Sequence, residues 1–219
     1  FMGSEMHMDL RVEKAEFIQG LYLTQGVVEK RNTLPILANV LIESTDDEIV
    51  LTATDLEIGI RQTCKGKIAR AGTVTLNARK LYEIVRELPS DQLTLRSGEG
   101  GWVEVSGGKA RYRMVSMDPK EFPSIPASTP VAKKSGVVIT LGAGVLAEMI
   151  EKTLFAVSTD ETRLSLGGVF LESIDKNQVR MVATDGHRLS FVEREIKGVE
   201  IRPGVILPRK GLVEAKRLL

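Results

Sequence analysis

The sequence predicts an α+β protein made of one domain type used twice, each copy being two helices packed on antiparallel sheets. Three observations carry this. Segments of the first half reappear in order in the second half. Short apolar runs bounded by polar turns alternate with two stretches of helical periodicity in each half. The spacing between matching segments, near 130 residues, is the size of a domain and too long for a solenoid repeat.

The repeat is read as follows. Thr33-Leu-Pro-Ile-Leu-Ala-Asn-Val-Leu-Ile-Glu-Ser44 aligns with Thr162-Arg-Leu-Ser-Leu-Gly-Gly-Val-Phe-Leu-Glu-Ser173 at a shift of 129. Ala53-Thr54-Asp55 aligns with Ala183-Thr184-Asp185 at 130, and Val74–Glu83 with Val205–Glu214 at 131. A shift that creeps by single residues is what small insertions in loops produce.

In the first copy, Glu16 to Val28 shows helical spacing through Phe17, Ile18, Leu21 and Val28. Leu37–Glu43 and Glu48–Thr54 are strand candidates around the polar turn Ser44–Asp47, followed by Leu56–Thr63 and Gly72–Leu76. Asn77 is placed to cap a helix that carries Leu81, Ile84, Val85 and Leu88 on one face and is stopped by Pro89. Three strands follow at Leu93–Arg96, Trp102–Val105 and Arg111–Ser116. Asp118–Lys134 contains prolines 119, 123, 126 and 130 and reads as an extended linker lying on the surface. The domains are therefore set at 8–134 and 135–219. Residues 1–7 read as a vector-derived leader.

In the second copy, Leu146, Met149, Ile150, Thr153, Leu154 and Val157 repeat the first helix. Leu219 corresponds to Leu88, and nothing in the chain matches the strands from Leu93 to Ser116. The second domain is therefore expected to stop before its last strands, making the chain part of something longer.

Composition narrows the function. Thirty Lys and Arg face 29 Asp and Glu, for a net charge of +1, so a nucleic-acid role requires cations gathered on one surface. One cysteine, Cys64, forms no intrachain disulfide and suits a reducing compartment. Two histidines and one cysteine make no zinc-type cluster, and no apolar run reaches about 18 residues. A cytoplasmic protein without cofactor or metal is expected.

No catalytic constellation stands out. His187 lies in Thr184-Asp-Gly-His-Arg-Leu189 without a Gly-x-Ser-x-Gly elbow. Asp55 and Asp185 sit at equivalent places after a strand. A carboxylate that bonds its own backbone in a turn accounts for them better than a metal or acid–base role. Gly98–Gly101 and Gly107-Gly108 lead into no helix and read as hairpin loops. The cations are more informative. Arg79 and Arg86 lie seven apart on the second helix, and their counterparts Lys210 and Arg217 keep that spacing, flanked by Arg209 and Lys216. The opposite face carries Leu212, Ala215 and Leu219. Such a stripe can be a solvated helix face, or it can meet phosphates without reading bases.

Thr33–Asn39, Leu51-Thr-Ala-Thr-Asp-Leu-Glu57, Glu121-Phe-Pro123, Val182–Leu189 and Leu207-Pro-Arg-Lys-Gly211 resemble the bacterial sliding clamps, the beta subunits of DNA polymerase III. The resemblance covers Met8 to Leu219. It implies the DNA clamp fold, three similar domains per chain, and a two-chain ring with helices lining the inner concave face. It also implies a non-catalytic processivity role. The ring would encircle duplex DNA without sequence preference and tether the polymerase III alpha subunit, the clamp loader and repair polymerases through short linear peptides.

Residue by residue, the resemblance implies DNA contacts at Arg31, Arg79, Arg86, Arg163, Arg209, Lys210 and Arg217. Where the best-known members carry two tyrosines this chain has Leu164 and Ser165. A peptide pocket is implied at Leu166, Thr184, Gly186, His187, Arg188 and Leu189. The homodimer contact of the full-length protein, not expected for this piece, is implied at Lys80, Val103, Val105, Arg111 and Arg113. Two alternatives stay open from the residues themselves: a DNA-processing nuclease or transferase, and a peptide-binding module with no DNA role.

Overall fold

A computed structural model describes residues 7–28, 34–45, 48–125, 139–160 and 162–219. The chain divides into two compact units, Phe1–Ile125 and Pro126–Leu219. The expected boundary at 134 falls outside the described residues.

The first unit runs β1 (Asp9–Glu13), α1 (Lys14–Val27), β2 (Asn39–Ser44), β3 (Glu48–Thr54), β4 (Gly59–Arg70), β5 (Gly72–Asn77), α2 (Ala78–Glu87), β6 (Gln92–Ser97), β7 (Trp102–Gly107) and β8 (Ala110–Val115). All eight strands join one antiparallel sheet in the order β5-β2-β3-β4-β1-β6-β7-β8. The unit is thus two βαβββ halves that exchange their first strands: β5 adds to β2, and β1 adds to β6. Neither half completes its sheet alone, so the pairing that closes this domain is non-local.

β4 holds the halves together. Gly59 to Lys65 pair with β3, and from Gly66 the strand turns to β1. A Cβ at Gly66 would lie 2.7 Å from the carbonyl oxygen of Arg11, so only glycine fits where the two ladders meet.

Both helices cover one face of this sheet. Phe17, Leu21 and Val27 of α1 and Ala78, Leu81 and Val85 of α2 are buried, with the inward residues Leu10, Val12, Ile42, Ile49, Leu51, Leu76, Leu93 and Leu95 completing the core. Asn77 caps α2 as expected, its side-chain oxygen accepting from the Lys80 N–H at 3.0 Å. At the other end, the Lys14 ammonium donates to the carbonyls of Arg86 and Leu88 at 2.9 and 2.6 Å, where the helix dipole favours a cation.

The second unit runs α3 (Ala143–Leu154), β9 (Gly168–Ser173), β10 (Gln178–Thr184), β11 (Leu189–Glu195), β12 (Val205–Pro208) and α4 (Arg209–Leu218). Its sheet order, β11-β10-β9-β12, repeats β4-β3-β2-β5 of the first unit. Met149, Ile150, Val169, Leu171, Val179, Met181, Ala183, Val192 and Leu212 form its core. The Glu148 carboxylate joins α3 to β11 through Arg194 and bonds Lys152 one turn on, and these cations hold it down at about 2.

Several boundaries move. β1 was not expected: it is five residues long and enters α1 with no turn residue between them. Leu37 belongs to a 3-10 turn at Pro35–Ala38, and the strand expected from Leu56 begins at Gly59 because Asp55–Ile58 form a turn. Val157 lies beyond the end of α3, and Leu219 is exposed instead of lying on the buried face of α4.

Candidate nucleic-acid and peptide interfaces

α2 and α4 occupy the same place in the repeat, and Leu81 of α2 and its counterpart Leu212 of α4 are both buried. In α2 the apolar stripe leaves Arg79, Lys80 and Arg86 exposed. In α4 the buried Leu212 leaves Arg209 exposed and Lys210 half-buried. The two surfaces are unequal. α2 carries those three cations against Glu83 and Glu87, whereas α4 carries Arg209, Lys210, Lys216 and Arg217 against Glu214 alone. Arg86 reaches Glu87 at 3.1 Å with both side chains largely in water, a contact of little energetic weight. Arg217 contacts Glu214 at 2.8 Å, and Lys216 lies 3.7 Å from Glu151 of α3. Arg31 lies outside the described residues.

The loop after β10 is built on two short side chains. The Thr184 hydroxyl donates to the Arg188 carbonyl at 2.7 Å and accepts from the Gly186 N–H at 3.1 Å. Asp185 Oδ1 accepts from the N–H groups of His187 and Arg188 at 2.9 and 3.0 Å, and Oδ2 accepts from Arg188 Nε at 2.9 Å. The backbone donors of His187 and Arg188, with the Arg188 guanidinium, hold the Asp185 carboxyl down at about 2. The same turn stands in the first unit, where Asp55 Oδ1 accepts from Glu57 and Ile58 and Thr54 bonds Ile58 and Leu56. Both aspartates are therefore turn-formers, as the sequence indicated.

This turn displays Gly186, His187, Arg188 and Leu189 to solvent. Leu166 is half-buried at the end of a 3-10 turn, its N–H donating to Arg163 and its carbonyl accepting from Ser158. Arg163, expected among the DNA contacts, reaches this loop: its Nη1 lies 3.2 Å from where a Cβ on Gly186 would stand. It also pairs with Asp160 at 3.4 Å. An exposed Leu189 with Arg163 and Arg188 at the same loop suits a short peptide with a hydrophobic anchor.

Three aromatic residues escaped the sequence reading: Phe155, Phe170 and Phe191. The Arg188 guanidinium lies 5.5 Å over the Phe155 ring. Phe170 and Phe191 stand outward on β9 and β11. The first pair is joined only by folding. The other signals were legible as apolar residues at the outward parity of a strand.

The expected dimer contacts divide. Lys80, Arg111 and Arg113 are exposed, and among the described residues β8 pairs only with β7, so it is an edge strand of the sheet. Val103 and Val105 are fully buried in the first unit's core and cannot be contacts. Side chains alternate along β7, and these two have the inward parity. Moreover, β7 has neighbours on both sides. Trp102 and Tyr112 are the exposed aromatic residues of this edge.

The chain matches the family models described as DNA polymerase III beta subunit, N-terminal domain, over residues 8–126, and central domain, over residues 140–219. It is 36% identical over 218 residues to the beta sliding clamp of Caulobacter vibrioides, an alignment covering 97% of this chain and 57% of that protein. Among solved structures, the DNA polymerase sliding clamp from Bacillus subtilis superimposes with a TM-score of 0.89 at 28% identity, covering 97% of this chain and 57% of that one. The sliding clamp from Bartonella birtlesii bound to griselimycin gives 0.88 at 36% identity, covering 97% and 56%. The chain thus spans a little over half the length of the relatives it matches. With the repeated sheet order, the paired helices and both domain models in agreement, this chain belongs to the DNA polymerase III beta subunit family and carries its N-terminal and central domains.

Proposed function

We propose that the protein works as a sliding clamp: a non-catalytic tether that encircles duplex DNA and holds replication and repair proteins to it. The observation that supports this most directly is the repetition of a cationic helix at one place in both domains. Arg79 and Arg86 on α2, and Arg209, Lys210 and Arg217 on α4, would meet phosphates, with Arg31 joining them. Such contacts carry no sequence information and weaken with salt, which permits sliding.

The tethering site is the loop of Thr184, Gly186, His187, Arg188 and Leu189, with Arg163 beside it and Leu166 as the further member the family resemblance implies. It would take short linear peptides of the polymerase III alpha subunit, the clamp loader and repair polymerases. Leu189 supplies apolar surface and the two arginines bond the peptide backbone or its acidic residues. The ring would close as a homodimer through the free edge of β8, with Lys80, Arg111 and Arg113 beside it, because an unpaired strand edge invites a strand from a partner.

The test is processive synthesis on primed circular DNA by the cognate polymerase, with the protein at the full length of its relatives. Charge reversal of Arg79, Arg86, Arg209 and Lys210 together should shorten the products at unchanged polymerase activity on short templates. Products of unchanged length would refute the DNA role and leave a peptide-binding module.

A further inference from the structure

The outward face of the first sheet carries two neighbouring rows of residues that differ in how their charge is met. In one row Arg70 stands opposite Asp9, Asp9 opposite Arg96, Arg96 opposite Glu104, and Glu104 opposite Arg113. The charges alternate in sign from strand to strand. Arg96 bonds Asp9 at 3.0 Å, and Glu104 lies 4.0 Å from Arg111. This row neutralises itself.

The next row does not. Lys67 of β4 stands opposite Arg11 of β1, Arg11 opposite Thr94 of β6, and Thr94 opposite Ser106 of β7. These are two exposed cations and two half-buried hydroxyls, with no carboxylate among them. Like charges directly opposite each other on adjacent strands repel. The acids that flank Arg11 on its own strand do not relieve it. Asp9 is bonded by Arg96, and Glu13 accepts from Gln92 Nε2 at 2.9 Å. Glu48 stands opposite Lys65, the neighbouring outward residue of β4. Among the described residues Arg11 and Lys67 make no ion pair, and the Thr94 and Ser106 hydroxyls make no hydrogen bond.

We infer that Lys67, Arg11, Thr94 and Ser106 form a phosphate-binding row, and that its occupant is the backbone of a nucleic-acid strand laid across the sheet. The row crosses four strands, a span of about 14 Å, which suits an extended polyanion. The cations neutralise phosphates and the hydroxyls donate to phosphate oxygens, a donor set that positions a backbone without reading bases. Membership of a DNA polymerase subunit family puts nucleic acid within reach and favours it over an acidic peptide. Only that last point rests on the proposed clamp role. The row itself lies on the sheet face opposite α1 and α2, so it is distinct from the cationic helix surface.

Anisotropy of a short fluorescent single strand, titrated at a series of salt concentrations with a protein of the relatives' full length, tests it. Arg11→Gln combined with Lys67→Gln should weaken binding at least tenfold. It should also lower the slope of log affinity against log salt by about 1.4, because each phosphate contact on a single strand contributes about 0.7. Arg96→Gln, in the self-neutralised row, should leave the slope unchanged. Removal of a repelling pair should raise the urea midpoint of the double variant; a lowered midpoint would show that the pair has a counter-charge and sink the inference. In the unsubstituted protein, acetylation of Lys67 by an activated ester, read by mass spectrometry, should slow at least threefold when the strand is added, while the exposed Lys197 of the second unit reacts as before. Unchanged affinity and slope in the double variant, or equal acetylation of Lys67 with and without the strand, would overturn the inference. If binding responds only to reversal of Arg79, Arg86, Arg209 and Lys210, the row is not a site and the clamp reading stands. Polyglutamate that competes as well as the unlabelled strand would overturn the nucleic-acid assignment in favour of an acidic peptide.

Discussion

Leu56 occupies in the first domain the place that Gly186 occupies in the second, and both hold the left-handed backbone, with φ of 79° and 90°. The turn is the same, closed by Thr54 and Asp55 in one copy and Thr184 and Asp185 in the other. A leucine in this conformation costs about 1–2 kcal/mol that glycine does not. Glycine returns about 0.5–1 kcal/mol of that through its greater freedom in the unfolded chain. Leu56→Gly should therefore stabilise the protein by about 0.5 kcal/mol in urea unfolding. Gly186→Ala should destabilise it and, because the new Cβ meets Arg163, weaken peptide binding as well; unchanged affinity in a calorimetric titration would contradict the placement of Arg163 at the loop.

The Asp185 loop also sets a pH dependence. Its carboxyl is depressed to about 2 from an ordinary value of 3.8. A lowered folded-state value means the ionised carboxylate is favoured by folding. Its contribution is complete above 3.8 and is lost as pH falls toward 2. Asp185→Asn should flatten the fall in stability across that window and leave the slope above pH 5 unchanged, as read from urea midpoints at a series of pH values.

Cys64 should be inert in the folded protein. Burial first, and the nearby Glu16 carboxylate second, push its thiol up to about 11, so little thiolate exists at pH 8. A thiol reagent at pH 8 should modify it only after denaturant unfolds the first domain. Rapid reaction in buffer would show that the α1–β4 contact opens readily.

Under the proposed clamp function, the inequality of the two cationic helices predicts unequal losses on DNA. Each exposed cation that neutralises a phosphate adds close to one unit to the slope of log affinity against log salt. In the full-length ring, Arg79→Ala and Arg209→Ala should each lower that slope by about 1. The paired reversal of Arg209 and Lys210 should cost more affinity than reversal of Arg79 and Arg86, because α2 already carries Glu83 and Glu87 among its cations.

Insertion of a side chain at Gly66 tests the strand exchange. Gly66→Ala drives a Cβ against Ile49 and the Arg11 carbonyl at the point where β4 changes partners. Overpacking there should cost about 1–3 kcal/mol. Amide exchange should accelerate in both β1 and β3, since the halves share that junction.

The sequence by itself determined the duplication, the two helices of each copy, the Asn77 cap, the aspartate turns and the cationic spacing of α2 and α4. All of these rest on local spacing or on self-comparison, and both are visible in one dimension. Only the tertiary structure decided that β1 and β5 change places between half-sheets, that Val103 and Val105 face inward, and that Arg163 reaches Gly186. Those outcomes depend on which strands pair across 28 to 87 residues and with which parity. A shift of one residue in that pairing reverses every side chain while leaving the apolar pattern of each strand unchanged.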